Sequence, residues 1–206
     1  MKYLLAVYFL FIIASCASDK TPPASQTTVI KDSNIIQKET KNPYVQVDVS
    51  PMDMAYFPTD YPVKKMNAKA SGTPLARVIY SRPHRSGRKL FGGLVKWGQP
   101  WRLGANEATE IQFFQPVTIQ NKRLEKGQYI MYAIPHEDRW IIAFNRNLYS
   151  WGLEFDPSED VMQVEVPAIT KAQVVEDFTM NFEKTSTGAD LIMAWESMEV
   201  RLPIQF

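Results

Sequence analysis

The sequence predicts an all-β domain, an antiparallel β-sandwich of the jelly-roll type with about nine short strands. Three observations predict this fold. Apolar and polar residues alternate at period two in many short segments. Gly, Pro and Asn residues separate these segments at roughly ten-residue intervals. No segment shows helical periodicity over more than two turns. We assign Trp140, Trp151 and Trp195 to the core of this domain.

Two strands are predicted before the long loop at residue 81. Residues 44–50 (YVQVDVS) alternate between apolar and polar side chains, so they are predicted to form the first strand, which Pro51 ends. Residues 52–74 carry three prolines and are predicted to be irregular. Residues 75–80 (LARVIY) are predicted to form the second strand.

The strands predicted after residue 108 follow one another closely, separated by turns and by one further loop. This loop spans residues 147–160 and contains an acidic stretch in which Asp156 is predicted to cap a turn. Residues 168–177 form the one segment compatible with a short helix. The predicted strands are 109–114, 117–119, 128–134, 139–145, 161–166, 178–182, 191–195 and 200–202.

Residues 1–15 have the features of a bacterial lipoprotein signal peptide. Lys2 supplies a positive charge, and residues 3–14 form an apolar run too short to span a bilayer as a helix. The sequence Ile-Ala-Ser-Cys at residues 13–16 matches a lipobox, so we expect cleavage before Cys16 and acylation of that cysteine. Several acyl chains would anchor the protein stably, since each buried CH₂ contributes about 0.8 kcal/mol. The alternatives are an ordinary secretory signal with a chance cysteine and an N-terminal membrane-anchoring helix.

Composition limits what the mature protein contains and binds. Cys16 is the only cysteine, so an acylated chain has no thiol for disulfides, nucleophilic catalysis or metal binding. Removal of Lys2 takes the basic residues from 23 to 22, which equals the number of acidic residues and argues against binding nucleic acid. Residues 16–43 are polar and are predicted to be a flexible linker, which leaves residues 44–206 as a single domain.

The segment 81–110 is predicted to be a long, ordered loop that crosses the sheet and carries the candidate site. Arg102, Asn106 and Glu107 lie within six residues, beside the indole of Trp101. A guanidinium fork, an amide, a carboxylate and a flat aromatic face can together bind a polar ligand. In the alternative interpretation, Arg102 pairs with Glu107 to fasten the loop, Asn106 caps a turn and Trp101 lies in the core.

Arg82 and Arg88 place further positive charge on the same loop. Residues 84–88 (HRSGR) form a basic loop tip, with Arg82 nearby, that is able to receive a carboxylate, a phosphate or an acidic glycan; the alternative is a solvated charged loop. His84 and His136 are the only histidines, and neither has a second histidine at ligand spacing. The sequence therefore predicts no metal site and no cofactor, and it places His136 in an exposed turn.

Several short motifs occur in a fixed order along the chain. They include SRP at residues 81–83, WRLGANEAT at 101–109, KGQY at 126–129, FN at 144–145, WG at 151–152 and DV at 160–161. In these motifs residues 75–206 resemble the bacterial family known as domain of unknown function 2911, found largely in secreted or lipid-anchored envelope proteins. Family members often have Thr where this chain has Leu103. The resemblance implies a β-rich domain outside the cytoplasm; it brings no established activity, so no catalytic residue is assigned.

Three functions are compatible with these features. The first, which we predict, is a noncatalytic envelope lipoprotein that is anchored through Cys16 and binds a small polar ligand, a glycan or an envelope protein through its loop. The second is a carbohydrate-active hydrolase with Glu107 or Glu110 as acid/base, which requires a cleft with two carboxyl groups about 5–9.5 Å apart. The third is a structural component of an envelope complex, which an exposed apolar patch of several hundred Å² would favour.

Overall fold

The computed structural model describes residues 44–206, which form one antiparallel sheet of nine strands. The strands are β1 (Met52–Phe57), β2 (Ala76–Ser81), β3 (Thr109–Phe113), β4 (Val117–Ile119), β5 (Lys122–Leu124), β6 (Gly127–Pro135), β7 (Arg139–Asn145), β8 (Asp160–Lys184) and β9 (Gly188–Gln205). Sheet neighbours run in the order β1-β2-β3-β6-β7-β8-β9-β4-β5, so the predicted all-β antiparallel class is confirmed. A short helix, α1 (Tyr61–Met66), and one 3₁₀ turn (Pro157–Glu159) lie between strands.

Period-two burial explains why these segments are strands. In β2, Ala76, Val78 and Tyr80 are buried, whereas Arg77 and Ile79 between them are partly exposed. Alternate side chains of a strand point to opposite faces of a sheet, so this pattern places one face of β2 in the core. Burial of each large apolar side chain contributes roughly 1.5–3 kcal/mol, and this supports the pairing that the sequence pattern predicts.

The long strand β8 connects two halves of the sheet. Its first part pairs with β7 up to Pro167, and from Ala168 onward it pairs with β9. The ring of Phe57 in β1 lies 6.0 Å from that of Phe182 in β8, and Tyr80 in β2 lies 5.7 Å from Phe178 edge to face. The β1–β2 end of the sheet therefore packs over the second half of β8, as in a sandwich whose two layers share one strand.

Two strands are long, contrary to the prediction of short strands throughout. β8 has 25 residues and β9 has 18, and residues 168–177 belong to β8 rather than to a helix. Register shifts interrupt the β8–β9 pairing between Thr170 and Val175 and again between Val175 and Thr179. Irregularities of this kind bend a strand without ending it. The breaks in the alternation at these positions therefore do not end a strand, contrary to the prediction from the sequence.

The first strand is also displaced from its predicted position. Residues 44–50 lie outside every strand, and β1 occupies Met52–Phe57 in a segment predicted to be irregular, which also contains α1. β1 pairs along its whole length with β2, from Met52 opposite Ser81 to Phe57 opposite Ala76. Alternation indicates an extended chain, but a strand needs a partner, and the partner strand lies opposite residues 52–57.

The core is rich in aromatic side chains. Trp140 and Trp195 are fully buried as predicted, whereas Trp151 is 55% exposed, so its assignment to the core is wrong. Within residues 44–206, no helix is long and apolar enough to cross a membrane. The predicted signal peptide, Cys16 and the linker lie outside the residues that the structure describes.

Candidate functional site

The β2–β3 loop, residues 82–108, is ordered, lies against the core and forms one side of the candidate site. It contains no strand or helix, as predicted, but it makes isolated bridges from His84 to Asp177 and from Trp101 to Ala133. Leu90 within it is completely buried. The loop is therefore part of the hydrophobic core as well as part of the surface.

The motif at residues 101–109 forms a tight turn with defined hydrogen bonds. Leu103, Gly104 and Asn106 have φ values of 55°, 156° and 59°. The Thr109 hydroxyl donates to the Leu103 carbonyl at 2.7 Å, and the Trp101 indole donates to the Gly104 carbonyl at 3.2 Å. A Cβ on Gly104 would lie 2.9 Å from the Ser81 carbonyl oxygen, so glycine is required here.

The Trp101 side chain anchors this turn on the aromatic core. Its ring stacks on Trp195, with centroids 5.8 Å apart and an interplanar angle of 15°. It also lies 5.1 Å from Phe178 and 5.6 Å from Trp140, both at steep angles. Offset stacked and edge-to-face arrangements are favourable for aromatic pairs, so these contacts hold the position of the neighbouring Arg102 backbone.

The β7–β8 loop, residues 146–159, forms the other side of the site. Its base is held by buried Asn145, whose side-chain amide donates to the Asp160 carboxylate and to the Asp156 carbonyl, both at 2.8 Å. The Tyr132 hydroxyl donates to the same Asp160 carboxylate at 2.6 Å. Burial, reinforced by this carboxylate, raises the pKa of Tyr132 well above its usual value.

The two loops contact each other directly. The Ala108 amide donates to the Ser150 carbonyl at 3.2 Å. Gly152 has a φ of 76°, and a Cβ there would lie 2.9 Å from the Cβ of Arg102 and 3.0 Å from that of Ala108. Gly152 therefore allows the β7–β8 loop to approach closely enough to pack against the Arg102 stem.

A pocket of about 440 Å³, which we call the arginine pocket, lies between the loops. Its polar side chains are Arg88, Arg102 and Ser50, and its lining contains no aspartate or glutamate. Most of the remaining lining is apolar, and Trp101 and Trp195 belong to it. The other lining residues are Val49, Pro83, Leu94, Val95, Pro100, Gly104, Ala105, Gly152, Leu153 and Phe155.

Arg102 is one of the two charged side chains that line the arginine pocket. Its Nη1 donates to the Trp151 carbonyl at 3.2 Å. Among the described residues no carboxylate lies within 4 Å of its guanidinium nitrogens, so the predicted alternative of an Arg102–Glu107 pair is wrong. Burial lowers the pKa of Arg102 because it removes water from the charged form without supplying an opposite charge.

The other predicted site residues have different surroundings. Arg88 lines the arginine pocket, and its Nε and Nη2 donate to the carbonyls of Arg85 and His84 at 2.8 and 2.6 Å. Asn106 donates to the Asp48 carboxylate at 2.7 Å. Arg82 is not part of the pocket lining, and its Nη1 donates to the Asp53 carboxylate at 3.2 Å.

Glu107 and Glu110 line a second concavity of about 350 Å³, the glutamate cleft, together with Ala108, Tyr149, Ser150 and Trp151. Glu107 is exposed, and Glu110 accepts a hydrogen bond from the Gln128 amide. The structure thus separates the predicted group, since Arg102 faces one concavity and Glu107 the other. Within residues 44–206, no cluster of three or more His, Cys, Asp or Glu side chains suits a metal ion.

The predicted turns at the edge of the site have mixed outcomes. The Asp156 carboxylate accepts hydrogen bonds from the Ser158 amide and hydroxyl at 2.9 and 2.7 Å, so the predicted capping of a turn is confirmed. His84 is not simply solvated: its ring nitrogens lie 2.8 Å from Asp177 and 3.3 Å from Glu176. His136 is partly exposed rather than fully exposed.

Comparison with known sequences places the chain in a family. Residues 62–204 match the family described as "Protein of unknown function (DUF2911)". The chain belongs to the DUF2911 family. The match includes both loops of the arginine pocket, whereas two further lining residues, Val49 and Ser50, precede it. Neither the curated proteins nor the solved structures contain a match to this chain.

Sequence reasoning missed the apolar part of the pocket in this DUF2911 domain. Leu94 and Leu153 are 57% and 70% exposed and line its mouth, while Phe155 and Val49 complete the wall. The sequence contained one indication of them, namely large apolar residues within polar loops. Such residues frequently form a binding surface when the fold brings them together. Leu94 and Leu153 are 59 residues apart in the chain, so no local pattern shows that they lie together.

Proposed function

We propose that this DUF2911 protein is a noncatalytic binding module of the bacterial cell envelope, which holds a small ligand in the arginine pocket. The observation that supports this most directly is the pocket itself. Its size falls within the range of small-molecule sites, roughly 300–1,000 Å³, and it contains three of the predicted ligand-binding residues, Arg88, Trp101 and Arg102. Loops positioned by a rigid sheet are common places for binding residues.

The order of the pocket walls also supports binding rather than a simple loop contact. Trp101 and Trp195 form a stacked floor, and Gly104 and Gly152 set the backbone where a larger residue would collide. A pocket that is already formed does not require ordering of its side chains when ligand binds, which reduces the entropic cost of association.

The envelope location is proposed from the sequence. The lipobox at residues 13–16 and the single cysteine support acylation of Cys16, and the polar linker would hold the domain away from the membrane. Intact-mass spectrometry of the membrane fraction tests this directly. We expect the mature chain to begin at an acylated Cys16 and a Cys16→Ser variant to remain unprocessed; an unmodified cysteine on the mature chain would contradict the anchor.

Fluorine NMR tests binding in the pocket, because the five tryptophans report on different places. Trp101 and Trp195 line the arginine pocket, whereas Trp151 lines the glutamate cleft. The full chain, labelled with 5-fluorotryptophan and held in detergent, would be titrated with small carboxylates, phosphates, sugars and fractions of an envelope extract. We expect some of these to move the Trp101 and Trp195 signals. If none of them moves either signal, the proposed function is wrong.

One observation favours a second candidate, the predicted carbohydrate hydrolase. Glu107 and Glu110 line the same cleft beside an exposed tryptophan, and paired carboxylates with an aromatic platform are the residue types that glycosidases use. Incubation with nitrophenyl glycosides and envelope polysaccharides tests it. Release of product that is abolished in both Glu107→Gln and Glu110→Gln would support a hydrolase, and the absence of any turnover would eliminate it.

A further inference from the structure

We infer that the arginine pocket binds a compact anionic amphiphile, a molecule with one carboxylate or similar anionic group on a largely apolar body. This inference rests on the proposed function and specifies its ligand. It depends on three properties of the pocket. The charged side chains of its lining are all positive, its walls are mostly apolar, and its indole N–H groups already donate to backbone carbonyls.

The charge of the lining has one sign. Arg88 and Arg102 both line the pocket, and no acidic side chain does. Arg102 uses one nitrogen for the Trp151 carbonyl and has no carboxylate within 4 Å among the described residues. A partly desolvated guanidinium without a counterion is stabilised when an anion arrives, and guanidinium forks bind carboxylates through charge-assisted hydrogen bonds.

The walls of the pocket suit an apolar body. Apart from the two arginines, Ser50 is the one lining residue with a polar side chain that is not an indole. Leu94, Leu153 and Phe155 form the outer wall, and Val95 forms part of the inner wall. A neutral sugar exposes hydroxyl groups over its whole rim, and it would leave many of them without partners against such walls.

The indole donors of the floor are already occupied. The Trp101 indole nitrogen donates to the Gly104 carbonyl at 3.2 Å, and the Trp195 indole nitrogen donates to the Glu176 carbonyl at 3.1 Å. The partly exposed Trp101 ring therefore offers an apolar surface and no free N–H group, while Trp195, which is 1% exposed, supports that ring from the core. Polar recognition is left to the two arginines, which concentrates it on one charged end of the ligand.

Three matched probes test this inference. 1-Naphthoate has both an anionic group and an apolar body, 1-naphthamide keeps the shape without the charge, and glucuronate keeps the charge without the apolar body. Affinities would be measured by calorimetry on the full chain, and fluorine NMR would locate the probe. We expect 1-naphthoate to move the Trp101 and Trp195 signals. It should bind about tenfold or more tightly than 1-naphthamide, as one charge-assisted hydrogen bond predicts, and more tightly than glucuronate, which has no apolar body to bury.

Variants test the assignment of the charged end. Arg102→Ala should weaken 1-naphthoate about tenfold or more and leave 1-naphthamide nearly unchanged. Arg102→Lys retains the charge and should recover part of this loss. Such recovery would show that the weaker binding of Arg102→Ala comes from the missing charge and not from misfolding. Arg123→Ala is the matched control, because Arg123 is exposed, pairs with Glu125 and is not part of the pocket lining.

The outcomes separate this inference from the proposed function. If 1-naphthoate and 1-naphthamide bind equally, or if Arg102→Ala keeps its full preference for the anion, the ligand does not need an anionic group that Arg102 binds. If glucuronate binds as tightly as 1-naphthoate, the ligand does not need an apolar body. If all three probes fail to move the Trp101 and Trp195 signals while another compound moves them, the ligand class is wrong and the binding function stands. If no compound moves them, both are wrong.

Discussion

The two ends of the β2–β3 loop are attached to the sheet in different ways. At its start, Arg82 bonds the Asp53 carboxylate at 3.2 Å and, at 3.3 Å each, the Phe178 carbonyl and the Thr179 hydroxyl. At its end, Trp101 packs against core rings, and the adjacent Arg102 bonds a single carbonyl. Charge therefore fastens one end, and aromatic packing fastens the other.

This difference shows why residue type alone does not reveal a binding residue. Arg82 and Arg102 are both candidates from the sequence, since both are arginines in one loop, although Arg102 belongs to the group at residues 101–107 that the sequence favours. Arg82 donates to three groups of the sheet. Arg102 donates to one backbone carbonyl, and no carboxylate among the described residues accepts a hydrogen bond from it. A binding residue needs unused donors, and the packing of Trp101 makes them available by holding the loop without Arg102.

The largest expected effect comes from removing the aromatic attachment. Trp101→Ala should lower the free energy of unfolding by roughly 3–5 kcal/mol, because it removes a large ring from contacts with Trp195, Phe178 and Trp140. Urea unfolding followed by circular dichroism measures this. Trp151→Ala is the control and should cost less than about 1 kcal/mol, since that ring is 55% exposed. Equal losses would show that aromatic packing does not hold this end.

Glycine substitutions at the two ends should differ in cost. Gly87 and Gly104 both have positive φ, but a Cβ on Gly87 meets nothing within 4 Å, and one on Gly104 meets the Ser81 carbonyl at 2.9 Å. Gly87→Ala should cost about 1 kcal/mol from backbone strain alone, and Gly104→Ala about 2–3 kcal/mol with the collision added. Unfolding midpoints of the two variants provide the comparison, and a larger loss at Gly87 would contradict it.

The two arginines should separate stability from binding. Arg82→Ala should destabilise the protein by about 1–2 kcal/mol, because three partners in the sheet lose a charged donor. Arg102→Ala should change stability by less than about 0.5 kcal/mol, as expected for a site without a buried pair. Thermal unfolding at low salt and at about 1 M salt tests the difference, since screening should reduce the effect of Arg82→Ala. A larger loss for Arg102→Ala would reverse these assignments.

The smallest effect concerns pH and the β7–β8 loop. Hydrogen bonds from the Ser158 hydroxyl and amide lower the pKa of Asp156 below its usual value. The stabilisation is therefore complete above the unfolded pKa of about 3.9 and is lost as the pH falls through the lower folded value. The stability difference between wild type and Asp156→Ala should be constant near neutral pH and shrink below about pH 4. A difference that grows on acidification would contradict this sign.

Local patterns predicted much of the sheet and the composition of the site. The alternations in residues 75–80, 139–145 and 191–195 lie in strands apart from Leu75, which immediately precedes β2, and the loop rich in Gly, Arg and Trp does carry a pocket. The sequence did not predict that side chains of this loop divide between two concavities. Arg102 and Glu107 are close in sequence but face different concavities, because the turn at Leu103–Asn106 has positive φ at three residues.

The sequence by itself determined that residues 44–206 form an antiparallel β protein and that the loop before Thr109 is the place to look for a site. These properties follow from side-chain alternation and turn residues, which act over a few positions. Only the tertiary structure decided that β8 passes through both layers, that Leu153 meets Arg102 across a pocket, and that Arg82 is paired while Arg102 is not. Such contacts join residues from distant parts of the chain, and their energies depend on packing that a local pattern does not encode.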